Sequence, residues 1–253
     1  MTIPNETTTI DRNVDIVTDH GIIDAHLYYP AADGTWPGVL LLTDIRGTRP
    51  AFEAIARRLT ANGYVVLLPN IYYRAGRAPV LDPNIPFGDE ATRARRQELR
   101  ATLTPEAVHA DLAALTDYLA GDSHVRAAGL GVVGYCLTGA FALAAAADFP
   151  ELIVAAASFH GGGLATDAPE SPHRLADRIK ARLYFGHADQ DPSIPAEMIE
   201  RLEAALRQAG VAFRSEVYAG ARHGFAVADG QSFSPDAAER HWRNLIDLLD
   251  TAF

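Results

Sequence analysis

Continuous apolar runs alternate with helix-patterned segments along most of the 253-residue chain. The runs are "PGVLLLTD", "YVVLLPN", "GLGVVGY", "LIVAAASFHGGG" and "ARLYFGHAD". A strand that is apolar on both faces must be covered on both faces. That is the pattern of a mostly parallel central sheet with helices on both sides, an α/β class. The helical segments carry their own punctuation. "PAFEAIARRLTANG" places Pro50 in its first turn and Gly63 at its stop. "TPEAVHADLAALTDYLAGD" has Thr104 as N-cap and Pro105 at its first position. "LTGAFALAAAADFP" follows the "GLGVVGY" strand directly. "PAEMIERLEAALRQAG" puts Met198, Leu202 and Leu206 on one stripe, and "SPDAAERHWRNLIDLLDTAF" closes the chain with Ser234 as cap. "NVDIVTD" and "IIDAHLYYP" read as antiparallel strands joined at Asp19-His20-Gly21, and "AFRSEVYAG" alternates like a further strand. The section from Ile71 to Gly88 is less regular. No composition shift divides the chain, so one domain over residues 1–253 is expected.

Charge and composition exclude several function classes. The net charge is −10, whereas binding to nucleic acid requires a clustered cationic face. The densest basic stretch, "RARRQELR" (Arg93 to Arg100), sits beside Asp89 and Glu90 and reads as a solvated helix face. The N-terminal "MTIPNETTTIDRNVDIVTDHG" lacks a basic region followed by an apolar stretch, so no secretory signal is expected. The longest apolar run changes character half-way, from β-like to alanine-rich, and is not a membrane span of about 20 residues. A cytoplasmic protein without membrane or nucleic-acid partners is expected, as a monomer or weak homodimer. The single cysteine rules out an internal disulfide.

That cysteine, Cys136, lies in "GLGVVGYCLTGAFALAAAA", where a strand turns directly into a helix. Such an elbow lifts one side chain above the carboxyl end of the sheet and sets it at a helix N-terminus. There the helix dipole favours a thiolate, which is the nucleophilic form. Gly134 and Gly139 are the small neighbours a tight elbow needs. The competing reading, a buried structural cysteine, does not account for this strand–Gly-x-Cys–helix context. A nucleophile of this kind needs a base, and the base an orienting acid; where the nucleophile sits on a strand-to-helix elbow, the chain order is nucleophile, acid, base. "YFGHADQDPSIP" offers Asp189 and Asp191, and "YAGARHGFAV" offers His223. His160 and His187 also follow strands and read as polar residues at the rim. His20, His26, His109, His124, His173 and His241 fall in turns, early strands or helix faces.

"GYCLTG", "DQDPSIP" and "RHGFA", in this order and spacing, resemble the dienelactone hydrolase family of the α/β-hydrolase fold, over nearly the whole chain. The resemblance implies a triad of Cys136, Asp191 and His223, because Asp191 precedes "PSIP" in the family's register. It implies that Asp44, after the third strand, contacts the resting cysteine. It also implies an oxyanion hole built from the backbone N–H groups of Ile45 and Leu137. The expected activity is hydrolysis of a small-molecule ester or lactone through a thioester, with no cofactor and no metal. A non-hydrolytic member and a thiol redox sensor are the alternative readings. Three positions depart from the family. Thr138 replaces a second glycine after the elbow. Val227 stands where dienelactone-cleaving members hold the substrate carboxylate with an arginine. "ATRARRQELRATL" offers Arg93 on the substrate side but no aromatic residue. Arg93 and Val227 are thus the candidate substrate-binding positions.

Overall fold

The computed structural model describes residues 8–82 and 88–253. Residues 1–7, part of the segment read for a signal, and 83–87, part of the less regular section, lie outside them. Two compact units make up the chain, Met1–Ala127 and Ala128–Phe253.

Unit one begins with the expected hairpin. Strands β1 (Thr9–Thr18) and β2 (Gly21–Pro30) pair antiparallel over their full length, from Thr9↔Pro30 to Thr18↔Gly21. β1 starts earlier than the apolar pattern suggests, because "TIDR" pairs through its backbone while its side chains stay largely exposed. Strands β3 (Trp36–Leu42) and β4 (Val65–Pro69) are buried nearly throughout and pair parallel, with Val39 opposite Val66. β4 also pairs antiparallel with β2. Helix α1 (Pro50–Ala61) buries Phe52, Ile55 and Leu59. The basic stretch lies on helix α2 (Glu90–Ala101), whose N-terminus is capped by Asp89 accepting from the Ala91 N–H. Helix α3 (Pro105–Ala120) starts as expected, with the Thr104 hydroxyl accepting from the Ala107 N–H.

Strand β5 (Val125–Tyr135) leads into unit two. Strands β5, β6 (Ile153–Phe159), β7 (Arg182–Gln190) and β8 (Phe213–Arg222) pair in parallel in that order. The connecting helices are α4 (Thr138–Asp148), α5 (Ala196–Gln208) and the closing α6 (Pro235–Ala252). On α5 Leu202 and Leu206 are buried and Met198 only partly so. Ser234 holds the N-cap position of α6, but its side chain makes no capping hydrogen bond. α6 is held instead by packing. Leu245 and Leu249 are fully buried, each contributing about 1.5–3 kcal/mol of transfer free energy. A buried polar cluster adds direction: the Asn244 amide donates to the hydroxyls of Tyr184 (2.7 Å) and Tyr218 (2.9 Å). The Tyr135 hydroxyl meets His241 Nε2 at 2.7 Å, so α6 also braces the residue that precedes Cys136.

Candidate active site

The turn from β5 into α4 takes a single left-handed step. Cys136 has φ 58°, a conformation costing an L-residue on the order of 1–3 kcal/mol and kept only where the surroundings impose it. Five backbone and side-chain hydrogen bonds impose it here. The Cys136 N–H donates to Phe159 O (3.1 Å), and its carbonyl accepts from the N–H groups of Gly139 and Gly162 (both 3.2 Å). The Thr138 hydroxyl accepts from the Tyr135 N–H (2.9 Å) and donates to the Tyr135 carbonyl (3.0 Å). The two glycines are steric requirements. A Cβ on Gly134 would lie 2.1 Å from Thr138 O, and one on Gly139 would lie 2.2 Å from Ser158 Oγ. Thr138 does not crowd the elbow as a glycine substitute; its hydroxyl folds back and closes it. Leu137 occupies the N-cap position of α4, where a helix start leaves N–H groups without intrahelical acceptors.

The strand ends of unit two bring the predicted triad together. His223 Nε2 lies 3.0 Å from Cys136 Sγ, and His223 Nδ1 lies 2.6 Å from Asp191 Oδ2. The Asp191 side chain is 1% exposed and that of His223 34%, so the acid is dry and the base reachable. Asp191 Oδ1 accepts from the Ser193 N–H (2.9 Å) and hydroxyl (2.6 Å). Burial opposes the Asp191 charge, but the hydrogen bonds from His223 and Ser193 outweigh it and hold this carboxyl below the usual aspartate range. Burial likewise opposes charge on His223. The hydrogen bonds and charges of Asp191 and Cys136 prevail and raise its imidazolium to about 10. His223 is therefore cationic at neutral pH beside the Asp191 carboxylate.

Known proteins carry the same arrangement of chain. Residues 23–253 match the sequence model of the dienelactone hydrolase family. The chain belongs to that family. A Synechocystis sp. protein assigned as a carboxymethylenebutenolidase is 30% identical over 250 residues, covering 96% of this chain and 98% of the relative. The carboxymethylenebutenolidase of Rhodococcus opacus is 29% identical over 229 residues, covering 89% and 85%. Among solved structures, a Klebsiella pneumoniae protein assigned as a dienelactone hydrolase superposes with a TM-score of 0.84 at 25% identity, covering 96% of this chain and 99% of that one. The fold is the α/β-hydrolase fold, and the chain is a hydrolase of the dienelactone hydrolase type.

The remaining family positions look different from their sequence reading. In unit one, Asp44 and Ile45 share a turn closed by the Gly47 N–H to Asp44 O (3.1 Å). Both Asp44 oxygens are held by Arg49, at 2.7 and 2.8 Å, and Oδ1 also accepts from the Arg46 N–H. The Ile45 carbonyl accepts from the Tyr72 hydroxyl at 3.3 Å. Asp44 therefore has an arginine partner that the sequence did not announce. Asp189 accepts from the Gly220 N–H at 2.9 Å and ties β7 to β8. Arg93 is exposed on α2, and Val227, in the turn after β8, is buried at 2% exposure. His160 and His187 are not rim residues: each is 1% exposed. His241 is buried against Tyr135 and Phe159. Ser193 was missed, though an aspartate accepting from the backbone two residues on is a common turn device that "DPS" offers. Among the described residues no group of three or more His, Cys, Asp or Glu side chains could hold a metal ion, and no helix is long and apolar enough to cross a membrane.

Proposed function

We propose that this family hydrolase cleaves an ester or lactone through a thioester on Cys136, with His223 as base and acid and Asp191 as its orienting partner. The observation that carries the reading is the aligned chain Sγ–Nε2 (3.0 Å) and Nδ1–Oδ2 (2.6 Å) at a strained elbow. The Cys136 thiolate attacks the acyl carbonyl, and the His223 imidazolium then gives its proton to the departing alkoxide. Water, deprotonated by His223, attacks the thioester; the carboxylic acid forms as the C–S bond breaks, Cys136 leaves as the thiolate, and His223 keeps the water's proton, which restores the ion pair. Asp191 supports the cation throughout. Leu137 is an oxyanion donor through its N-cap N–H, and the family pattern gives the second donor to Ile45. Because one family model spans both compact units, we read residues 1–253 as a single catalytic domain.

The substrate class we propose is uncharged. Arg49, Arg74 and Arg77 are each clamped by a protein carboxylate, of Asp44, Asp111 and Asp15. Val227 offers no donor. The test is a stopped-flow assay with an aryl acetate: a burst of one phenolate per chain, and an acetyl group located on Cys136 by mass spectrometry, are expected. Turnover that survives stoichiometric alkylation of Cys136 overturns the reading.

A further inference from the structure

Among the described residues, two other than glycine have positive φ: Cys136 at 58° and His160 at 39°. They are neighbours in the fold. The Cys136 N–H donates to the carbonyl of Phe159, the residue before His160, and the Gly162 N–H donates back to the Cys136 carbonyl. His160 is itself pinned by its N–H to Gly186 O at 2.8 Å. One member of this strained pair is the nucleophile. The other puts its ring 5.1 Å from the ring of His223, inclined at 63°. Phe225 and Tyr135 enclose the same ring at 5.4 and 5.8 Å.

We propose that His160 is a positioning residue for His223: an uncharged ring on a left-handed backbone that holds the imidazole in line with Cys136 and Asp191. The proposal rests on the reading of Cys136 and His223 as a reacting pair. His223 makes its two hydrogen bonds from opposite sides of one flat ring, and a rotation of that ring weakens both, because such bonds fall off steeply with angle. A rigid neighbour packed against it restricts the rotation. The choice of histidine follows from the backbone. The site demands both a left-handed φ and a ring, and histidine is enriched at positive φ where most residues with bulky side chains are not. Its nitrogens are not used for bonding: neither has a hydrogen-bond partner among the described residues.

His160 fits this role only as a neutral group, since a second cation would oppose the His223 imidazolium. Burial holds it neutral well below the ordinary histidine range. The ionisable groups around it are His223 after β8, His241 on α6, Asp191 after β7 and Tyr135 at the end of β5. The two histidines work in the same direction as burial, and Asp191 opposes them.

The test is an NMR titration of the histidine side chains, with Cys136 alkylation rates at pH 7, in wild type and in His160→Asn. Asparagine accepts a left-handed backbone but brings no ring. In wild type, His223 should titrate near 10 and His160 should stay neutral at pH 6. In His160→Asn, the His223 value should fall towards 6.5, alkylation should slow at least tenfold, and kcat should drop by a similar factor with KM little changed. His160→Gly, which relieves the backbone entirely, should behave the same and serves where Asn fails to fold. A folded Asn or Gly variant with wild-type His223 titration and alkylation overturns the proposal, as does a wild-type His160 that protonates near 6.5. A wild-type His223 that itself titrates near 6.5, with Cys136 alkylating like a free thiol, instead overturns the reading of the pair.

Discussion

Asp191 points Oδ2 at His223 Nδ1 across 2.6 Å while its other oxygen is held by Ser193. Both lone-pair faces of the acid are used, so its orientation leaves the imidazole one tautomer. Asp191→Asn should reduce kcat by roughly 10³- to 10⁴-fold, the scale of the equivalent change in a serine triad. Asp189→Asn removes a single exposed contact to the Gly220 N–H and should cost less than about tenfold. Steady-state kinetics of the two variants decide the assignment; reversed effects would sink it.

Cys136 should be alkylated by iodoacetamide faster than a free thiol at pH 7, and activity should disappear in proportion to labelling. Cys136→Ser should keep the fold and turn over poorly, because a hydroxyl is far harder to ionise than a thiol. Intact mass and circular dichroism provide the readouts.

Thr138 closes the elbow through two bonds to the backbone of Tyr135. Thr138→Val conserves shape but leaves the buried Tyr135 N–H without that acceptor. A loss of about 1–3 kcal/mol in urea unfolding is expected. An unchanged midpoint would show that the hydroxyl does not hold the turn.

Stability should peak near pH 6.5. His187 is held down to about 4 by burial, and His160 also stays neutral below its ordinary range. As pH falls from 6.5 towards 4 the unfolded chain therefore binds protons that the folded chain refuses, and stability drops. His223 runs the other way: its folded value is about 10 against 6.5 for an ordinary histidine. Its contribution is complete below 6.5 and is lost as pH rises through 10. Melting temperatures across this range should show both limbs. His187→Leu should flatten the acid limb and Asp191→Asn the alkaline one.

An uncharged ester or lactone should be hydrolysed at least as efficiently as its carboxylated analogue with a similar leaving group. A charge-assisted hydrogen bond to a substrate carboxylate would contribute about 1.5–3 kcal/mol. Arg49, Arg74 and Arg77 already spend theirs on Asp44, Asp111 and Asp15. kcat/KM for matched pairs at low and high salt is the measurement, and a tenfold preference for the carboxylate contradicts the prediction.

The sequence by itself determined the strands, most helix starts, the elbow around Cys136 and the chain order of the motifs that carry Cys136, Asp191 and His223. These are written in local periodicity, in caps such as Thr104, and in short motifs whose spacing is read along the chain. The tertiary structure decided what depends on residues far apart in sequence. Asp191 was separated from Asp189 on geometry only by its 2.6 Å contact with a histidine 32 positions later. Arg49 became the partner of Asp44 through a turn that no periodicity describes. His160 read as a polar residue at the rim and His241 as one of the histidines in turns, early strands or helix faces, because sequence does not report burial. They are interior because parallel strands and α6 close over them, and a polar group's character is set by the dielectric and neighbours that only the assembled fold supplies.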